Sequence, residues 1–554
     1  MEFFEEGVDY PAVSVDADYQ VTDEAVDAAR KAFGVKYLFP WQRLVIGNIM
    51  DAANMQQDSP AEGEENDYLC RGRQIVLLPT GAGKSLCFLT PALLLKGPSL
   101  VLYPLLALMS DQQRRMEAGG LKCAVFRGGQ TEEERRENLD SLKKGARIIL
   151  TNPETLQNDS LVEELSQSGI SHIAIDEAHC VAEWGDTFRP AYLTLGKIIK
   201  KLGCRIVTAF TATASPQVLA RISEVLFDGD AHIVQSGADR ANIHYEVRPA
   251  YARMKNVLKA VTESEKPLIV FCGTRNRTEQ AARLIESYYE DGRTKFYHAG
   301  LTKEEKNSIE KWFFESKDGI LCATCAYGMG VDKADIRTVI HMDAPLHLEN
   351  FIQEAGRAGR NGDNVRSILL WNHNDDIRFK GFPQGSREKA VSDFARLNAC
   401  RRRFILDYLN DQTEFSGCSG CDYCDAVRSG RNFKNQAEDA RTVTEFIRKH
   451  RKTFSVPEAK AEVKKLLNAN DLDEYKMNIW EEKDINEIFS QLLSERTLKV
   501  AGGLWANHVD IVPEKKLKAA PPMIRFIPRN LLHRLHCLRR LLRRVQEQVR
   551  QIFS

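Results

Sequence analysis

The sequence has no excess charge of either sign, because 77 Lys and Arg residues balance 77 Asp and Glu residues in a chain of 554. Its average charge therefore favours neither an acidic nor a basic partner. It also lacks any apolar run of the roughly 18 to 20 residues that cross a membrane, so we expect no membrane partner. Residues 1–20 hold six acidic and no basic side chains, a pattern unlike that of a secretory signal peptide.

The thirteen cysteines are an odd number in a large chain, which argues against a disulfide framework. Reduced thiols, some of them bound to metal, fit better. One group is closely spaced and comprises Cys400, Cys418, Cys421 and Cys424. Four thiolates at this spacing suit tetrahedral Zn²⁺ in a closed, structural site. Cys322 and Cys325 lie at the end of a predicted strand instead, and we predict that both are core residues.

Short apolar runs that suit buried strands alternate with helical stretches between about residues 30 and 375. The runs are 74–79, 99–104, 122–126, 146–151, 172–176 and 205–211, then 267–272, 294–298, 319–324, 338–343 and 366–371. A gap at residues 234–248 separates the two groups. Continuous apolar strands between helices are typical of parallel sheets covered on both faces. The sequence therefore predicts an α/β fold with two parallel-sheet lobes in tandem, residues 21–236 and 237–385.

The rest of the chain follows other patterns. Residues 386–430 combine helical patterns with the clustered cysteines. Three further helical patterns precede a short hairpin, at 437–450, 456–468 and 484–495. This order is typical of a winged-helix-like α+β domain, which we assign to residues 431–515. We predict an acidic tail at 1–20 and a linker with a basic amphipathic helix at 516–554. That helix is expected to pack on the protein, with DNA phosphates, another chain and a membrane surface as alternatives.

A glycine-containing loop joins the first predicted strand to the helix after it and consists of Thr80, Gly81, Ala82, Gly83, Lys84 and Ser85. Glycines let backbone N–H groups approach phosphate oxygens, and a helix N-terminus favours negative charge. Lys84 would reach the β- and γ-phosphates of a nucleoside triphosphate, and the Ser85 hydroxyl would ligate Mg²⁺. Leu78 stands where the general motif has glycine.

Two carboxylates, Asp176 and Glu177, stand at the end of a predicted buried strand in the same lobe. Asp176 can hold Mg²⁺ through its water shell, and Glu177 can orient or deprotonate an attacking water. An acidic strand end can also cap a helix, but together with the phosphate loop these residues favour nucleotide hydrolysis. His179 is a candidate for coupling this site to the neighbouring lobe.

The order of these motifs resembles that of the superfamily 2 helicases, and within them the RecQ family of DNA helicases. The similar segments are 33–42 (motif 0), 103–112 (Ia), 211–214 (III), 271–275 (IV), 323–333 (V) and 353–360 (VI). The run from His179 through Trp184 to Pro190 is close to specific for RecQ. The resemblance covers residues 33–362 and implies two RecA-like lobes.

The resemblance also implies roles for single residues. Gln42 would read the adenine edge of ATP, and Thr324 of motif V would contact nucleic acid. Gln353, Arg357 and Arg360 belong to motif VI, and the arginines would approach the γ-phosphate from the second lobe and stabilise its transition-state charge. Solvated surface positions are the alternative for both arginines.

An aromatic loop follows the acidic motif and contains Trp184, Phe188 and Arg189. Aromatic faces stack on unpaired bases, and the resemblance implies a loop that senses single-stranded DNA and triggers hydrolysis. A core position is the alternative for Trp184. Asp186 stands where this loop usually has His.

Motif 0 departs from the family pattern in two places. Val35 stands where an aromatic residue usually stacks on adenine, and Phe39 stands where the family usually has Arg. Tyr37 and Trp41 are the candidates to supply the ring instead.

The cysteine array matches the zinc module of the RecQ family, where a winged-helix domain follows and grips duplex DNA. The hairpin at 498–505 is thus a candidate strand-separating or duplex-contacting element. Arg401, Arg402 and Arg403, beside the first cysteine, predict a basic patch that faces phosphates.

We therefore expect an ATP- and Mg²⁺-dependent DNA helicase that moves 3′ to 5′ on single-stranded DNA and unwinds duplex DNA in repair and recombination. Its expected partners are single-stranded and duplex DNA, with single-strand-binding or other repair proteins. Its compartment would be the cytoplasm and nucleoid of a bacterium or the nucleus of a eukaryote. The alternatives are an RNA helicase, a non-unwinding nucleic-acid-dependent ATPase and a non-catalytic nucleic-acid-binding scaffold.

Overall fold

The structure is a computed structural model. It describes residues 24–55, 72–79, 82–118, 120–184, 189–235, 237, 239–327, 333–411, 417–431, 433, 438–476 and 478–512. Several predictions concern residues outside this set: the tail at 1–20, Thr80, Gly81, Phe188, Asp186, the side chain of Trp184 and the helix within 516–554.

Seven strands form the sheet of the first lobe, here called lobe 1. They are β1 Arg73–Leu77, β2 Ser99–Leu102, β3 Cys123–Val125, β4 Ile148–Thr151, β5 His172–Ile175, β6 Val207–Thr211 and β7 His232–Gln235. All pairings are parallel, in the order β3-β4-β2-β5-β6-β1-β7. The helices are α1 Glu24–Phe33, α2 Pro40–Met55, α3 Lys84–Leu94, α4 Leu106–Ala118, α5 Glu132–Lys143, α6 Asp159–Ser166, α7 Cys180–Trp184, α8 Leu195–Leu202 and α9 Pro216–Phe227.

Both faces of this sheet are buried. Ile75 and Leu77 of β1 belong to one apolar core, whereas Val76 and Leu78 belong to another. Successive side chains of a strand point to opposite faces, so a strand with a core on each side is mostly apolar along its whole length. This explains why the central strands are continuous apolar runs in the sequence.

Six strands form the sheet of lobe 2. They are β8 Ile243–Pro249, β9 Leu268–Phe271, β10 Thr294–Tyr297, β11 Ile320–Ala323, β12 Thr338–His341 and β13 Val365–Trp371, and all pair in parallel in the order β10-β11-β9-β12-β13-β8. The helices are α10 Arg253–Thr262, α11 Arg275–Tyr289, α12 Lys303–Glu315, α13 Leu348–Ala355 and α14 His373–Lys380. The predicted α/β fold with two parallel-sheet lobes is confirmed.

Two strands, β7 and β8, correspond to none of the predicted apolar runs, and most of their residues lie in the predicted gap between the lobes. Each is an edge strand and pairs with one neighbouring strand of its sheet. Only Val234 of β7 is buried, and β8 alternates buried with half-buried residues. Strands of this kind do not form the continuous apolar runs by which the others were found.

The chain after lobe 2 is mainly helical. Its helices are α15 Arg387–Ala395, α16 Arg401–Tyr408, α17 Asp422–Arg428, α18 Glu438–Lys449, α19 Val456–Tyr475 and α20 Glu482–Ser494, and an antiparallel hairpin of β14 Leu498–Val500 and β15 Val509–Ile511 follows. The predicted three helices and hairpin are thus present. Helix α19 runs past its predicted end because the buried residues Leu467, Asp471 and Tyr475 continue its inner face. Within the described part of the chain, no helix is long and apolar enough to cross a lipid bilayer.

A buried ionic cluster attaches these last helices to lobe 2. The Nζ atom of Lys255 lies 2.7 Å from a carboxylate oxygen of Asp439 and 2.9 Å from one of Asp471. The same ammonium group lies 4.9 Å from the centre of the Trp480 ring. Two carboxylates and an aromatic face compensate the desolvation of this cation.

Candidate active site

Three neighbouring strands of lobe 1 end at the candidate site. The register pairs Leu77 of β1 with Thr211 of β6, and Ala209 of β6 with Ile175 of β5. Because the strands are parallel, the phosphate loop, the two carboxylates and motif III all leave the sheet at one edge. Ligands of open α/β sheets bind at the carboxyl edge of the strands.

The phosphate loop enters helix α3 through a glycine that is sterically required. Gly83 has a φ of 71°, in the left-handed region that favours glycine. A Cβ atom at this position would lie 2.4 Å from the Nε2 atom of Gln42. Lys84 is the first residue of α3, and its Nζ atom lies 3.4 Å from Oε1 of Glu177. The predicted lysine and glutamate are therefore brought together.

Gln42 is buried and hydrogen-bonds to the backbone of the phosphate loop. Its Nε2 atom donates to the carbonyl oxygens of Ala82 at 3.1 Å and Gly83 at 3.4 Å, and its Oε1 atom accepts a hydrogen bond from the backbone N–H of Phe39 at 2.8 Å. Both ends of the amide are thus engaged within the protein. The expected reading of adenine by Gln42 stays a prediction.

Aromatic rings lie next to Gln42. Phe39 and Trp41 stack with ring centres 4.6 Å apart, and Tyr37 meets Phe39 edge-on at 5.0 Å. Tyr37 is 53% exposed, whereas Val35 is buried in the apolar core under α1. The family pattern has an aromatic residue at position 35, where this chain has the buried Val35. Tyr37, two residues later, offers an exposed ring instead.

The two carboxylates have opposite pKa shifts. Burial and the adjacent charge of Glu177 raise the pKa of Asp176 to about 6. Burial alone would raise the pKa of Glu177 as well, but Lys84 and His179 lower it below its usual value. Glu177 also has a φ of 48°, unusual for a residue with a side chain. Two adjacent half-buried carboxylates, with Lys84 beside Glu177, are a donor set that fits Mg²⁺.

His179 bonds within lobe 1. Its Nδ1 atom lies 3.1 Å from the hydroxyl of Thr211 and 3.3 Å from Oε2 of Glu177, and Thr211 in turn donates to the carbonyl of Thr213. These contacts connect the acidic motif with motif III of the same lobe. The described hydrogen bonds of His179 stay within lobe 1, and its coupling of this site to the neighbouring lobe stays a prediction.

Arg357 of lobe 2 faces this site. It is buried just after helix α13, and its positive charge contributes to the lowered pKa of Glu177. Burial and the nearby charge of Arg360 lower the pKa of Arg357 itself to about 10. Gln353 lies half-buried on α13, one helical turn before Arg357. Arg357 of motif VI is thus near enough to Glu177 of lobe 1 for its charge to act there, whereas the approach of Gln353 and Arg360 to the site stays a prediction.

The candidate nucleic-acid residues are only partly described. Arg189 lies with its Nε atom 3.4 Å from Glu154 and donates to the carbonyl oxygen of Pro104, in motif Ia. Thr324 follows β11 at the carboxyl edge of the second sheet, half-buried, and accepts a hydrogen bond from the N–H of Ala326 at 3.4 Å. Both remain predictions as DNA contacts.

The four predicted metal ligands converge. The sulfur atoms of Cys400, Cys418, Cys421 and Cys424 all lie within 4.8 Å of one another. The N–H of Cys424 donates to Cys421 Sγ at 3.4 Å. The pKa of Cys421 is lowered to about 4, mainly by a hydrogen bond with Cys400 and further by this bond from Cys424. Four converging sulfurs, one of them favoured as thiolate, fit Zn²⁺.

Two predictions are wrong, one about Cys325 and one about the arginines beside Cys400. Cys325 is exposed rather than a core residue, whereas Cys322 is buried as predicted. The basic patch beside Cys400 does not exist, because the Nε atom of the fully buried Arg401 lies 2.7 Å from Asp422 and Arg402 forms an ion pair with Asp239. These guanidinium groups have protein carboxylates as partners, so they are not offered to phosphates.

Comparison with known proteins identifies this architecture. The DEAD/DEAH box helicase family matches residues 40–222, and the helicase conserved C-terminal domain matches residues 251–362. The chain is 39% identical over 300 residues to the probable ATP-dependent DNA helicase RecS of Bacillus subtilis, across 53% of this chain and 60% of RecS. It is 31% identical over 404 residues to the ATP-dependent DNA helicase RecQ of Pasteurella multocida, across 70% of this chain and 60% of that protein. The chain belongs to the RecQ family of superfamily 2 helicases.

This RecQ-family chain is also 30% identical over 371 residues to the putative ATP-dependent RNA helicase R290 of Acanthamoeba polyphaga mimivirus, across 64% of this chain and 67% of R290. Its fold is similar to the solved structure of the DEAD-box helicase Mss116 bound to ssRNA and UDP-BeF, with a TM-score of 0.53, 16% identity and coverage of 86% and 90% of the two chains. The RecA-like nature of both lobes is thereby confirmed. The chain spans about 60% of the length of RecS and RecQ.

Proposed function

We propose that this protein is an ATP- and Mg²⁺-dependent DNA helicase that moves 3′ to 5′ along single-stranded DNA and unwinds duplex DNA. The observation that carries the proposal is the convergence of Lys84 and Glu177 from lobe 1 with Arg357 from lobe 2 at one cleft. A triphosphate held there contacts both lobes, so its hydrolysis changes the contacts between them. RecS and RecQ, which the chain resembles over both lobes, are named as ATP-dependent DNA helicases.

The charges at the cleft suit hydrolysis of the γ-phosphate. Glu177 is ionised at neutral pH because nearby cations offset its burial, so its carboxylate can orient the attacking water and accept its proton. Mg²⁺, held by Asp176 and Ser85, would neutralise phosphate charge. Lys84 and Arg357 would stabilise the γ-phosphoryl group as its bond to the bridging oxygen breaks, leaving ADP and phosphate.

The remaining proposed roles follow the sequence. Trp184, Phe188, Arg189 and Thr324 would contact single-stranded DNA, Gln353 and Arg360 would assist hydrolysis, and the four-cysteine cluster would hold a structural Zn²⁺. Service in repair and recombination, repair-protein partners, and a location in the nucleoid or nucleus complete the proposal.

RNA is the second candidate substrate, because R290 is named as an RNA helicase. ATP hydrolysis should be stimulated by single-stranded DNA more strongly than by RNA of the same sequence, and a duplex with a 3′ tail should be unwound faster than one with a 5′ tail. The Lys84→Ala variant serves as the control without turnover. Equal or greater stimulation by RNA would contradict the DNA assignment, and wild-type protein that releases no phosphate with saturating DNA would favour the non-catalytic scaffold.

The tip of the β14–β15 hairpin presents apolar side chains to solvent. Leu504 is 99% and Trp505 is 49% exposed. If this tip separates base pairs, the double variant Leu504→Ser and Trp505→Ala should unwind duplex DNA about tenfold more slowly, since it loses a stacking contact of roughly 1–3 kcal/mol. Its ATP hydrolysis on single-stranded DNA should stay at the wild-type rate.

Val427→Ser is the matched control for the hairpin variant, because Val427 is also apolar and is 58% exposed. It lies away from the hairpin, on helix α17 of the cysteine module (residues 386–430). Unwinding should be unchanged in this control. A hairpin variant that unwinds at the wild-type rate would exclude the tip from strand separation.

A further inference from the structure

One guanidinium group in the segment between the lobes binds the loop that carries the motif VI arginines. Arg240 lies between β7 and β8, and its Nη1 atom donates to the carbonyl oxygen of Gly356 at 3.3 Å. Its Nη2 atom donates to the carbonyl oxygens of Ala358 at 3.0 Å and Gly359 at 3.1 Å. These three carbonyls flank Arg357 on both sides and immediately precede Arg360. The backbone around Arg357 is therefore fixed by one side chain.

The cation of Arg240 also suits its place at the end of a helix. Helix α13 ends at Ala355, so the Gly356 carbonyl belongs to its C-terminal turn, where partial negative charge accumulates. Carbonyl oxygens there lack partners within the helix. Burial, followed by the charge of Arg360, lowers the pKa of Arg240, which places the two guanidinium groups near each other. The three carbonyl contacts offset the cost of that arrangement.

Asn242 completes the support from the same segment. Its Nδ2 atom donates to the carbonyls of Gly359 and Asp363, both at 2.8 Å, and its Oδ1 atom accepts from Nε of Arg240 at 3.3 Å. Gly359 has a φ of 59°, and a Cβ atom there would lie 2.6 Å from Nδ2 of Asn242. A glycine at 359 is thus the condition for this close approach.

The other side of the segment is held by the cysteine module. Asp239 forms an ion pair with Arg402, and the hydroxyl of Ser419 donates to the carbonyl of Ala241. Residues 239–242, here called the support segment, therefore have contacts on two sides. On one side lies the loop 356–360, here called the arginine loop, and on the other lies the cysteine module, residues 386–430. The described contacts of the support segment thus join it to lobe 2 and to the cysteine module.

We propose that Arg240, braced by Asn242, is a positioning residue that holds Arg357 in the orientation needed for ATP hydrolysis. The inference rests on the proposed ATPase function. Nucleotide binding in the ground state is expected to depend on the phosphate loop of lobe 1, and none of the described hydrogen bonds of Arg240 involves that loop. Loss of Arg240 should therefore affect the rate of hydrolysis and not the affinity for nucleotide.

The test compares Arg240→Ala with wild type at saturating ATP and single-stranded DNA. The kcat should fall about 100-fold, the effect expected when a catalytic group is displaced by about 1 Å. The dissociation constant for a fluorescent ATP analogue should change less than about twofold, and Arg240→Lys should recover part of the rate because its ammonium group can reach a carbonyl.

Arg248→Ala is the matched control, since Arg248 is an ion-paired arginine of β8 whose described partners are Glu246 and Glu263 rather than the arginine loop. Its kcat per folded protein should remain that of wild type. In an Arg357→Lys background, Arg240→Ala should cost less than about threefold, because residues that act as one unit are not additive.

Three results would overturn the inference. They are a wild-type kcat in Arg240→Ala, a loss of nucleotide affinity parallel to the loss of kcat, and a full 100-fold effect retained in the Arg357→Lys background. A wild-type protein without ATPase activity would instead contradict the proposed function itself.

Discussion

The Arg357→Ala variant is expected to hydrolyse ATP about 10³-fold more slowly than wild type in the presence of single-stranded DNA, the lower end of the range for loss of an arginine that stabilises phosphoryl transfer. Arg357 is buried at the cleft, and its charge acts on Glu177 across the lobes. Among the described contacts of Glu177, no lysine of lobe 2 is placed to substitute for Arg357. The other partners of Glu177, Lys84 and His179, both belong to lobe 1. Steady-state phosphate release measures the effect.

The same variant should stay folded, because removal of a desolvated charge offsets part of the packing lost with this buried side chain. Burial and the charge of Arg360 lower the pKa of Arg357 to about 10, so the folded state disfavours the charged form relative to the unfolded chain. The arginine is charged in both states at pH 7, hence this unfavourable contribution is present there and disappears when the residue is replaced. Thermal unfolding should therefore still show a cooperative transition at a temperature above that of the ATPase assay.

Arg283→Ala is the control for Arg357→Ala, because Arg283 lies on α11 with its side chain 76% exposed. It should retain wild-type turnover. If Arg357→Ala kept wild-type ATPase activity, or lost it only together with its folded structure, the assigned role of Arg357 in hydrolysis would be wrong.

Replacement of Cys421 by Ser should release the metal and destabilise the end of lobe 2. Cys421 is buried, and its sulfur lies within 4.8 Å of three other cysteine sulfurs. Its backbone also forms an isolated parallel β-bridge with Tyr245 of β8. Structural Zn²⁺ contributes about 10–16 kcal/mol in small zinc peptides, a quantity as large as the stability of a whole domain. We expect about one zinc per wild-type chain, little in the variant, and an unfolding midpoint lower by roughly 10 °C.

Cys325→Ser provides the comparison for Cys421→Ser. Cys325 is an exposed cysteine outside the cluster, so its replacement should leave the zinc content and the unfolding midpoint unchanged. Elemental analysis and differential scanning calorimetry measure the two quantities. A Cys421→Ser variant with one zinc per chain and wild-type stability would show that the cluster is not a structural metal site.

Local sequence patterns predicted much of the fold. All eleven predicted apolar runs correspond to strands, most of them buried on both faces and therefore largely apolar along their length. Two edge strands, β7 and β8, escaped the same reasoning because polar residues occupy many of their exposed and half-buried positions, whereas the edge strands β3 and β10 were found. The extended end of α19 was missed for a related reason, because Tyr475 packs in the core of lobe 2 and not in that of its own domain.

The candidate site was predicted in part. Lys84, Asp176 and Glu177 follow strands, and the parallel order of β1, β6 and β5 brings the ends of those strands together. Arg240 and Asn242 were not singled out, because a single Arg and a single Asn in a linker carry no local pattern. Their partners lie 116 to 121 residues further along the chain.

The sequence by itself determined the residue chemistry of this protein: a phosphate loop, a pair of carboxylates, a pair of arginines and four cysteines, each at a spacing set by local backbone geometry. Only the tertiary structure decided which of these groups meet and which charges are neutralised. Arg402, for example, has as its partner Asp239, 163 residues earlier, and this pairing turned a predicted basic patch into an internal ion pair. The physical reason is that spacing along the chain fixes neighbours within a few residues, whereas burial and electrostatics depend on contacts that form only when distant segments pack.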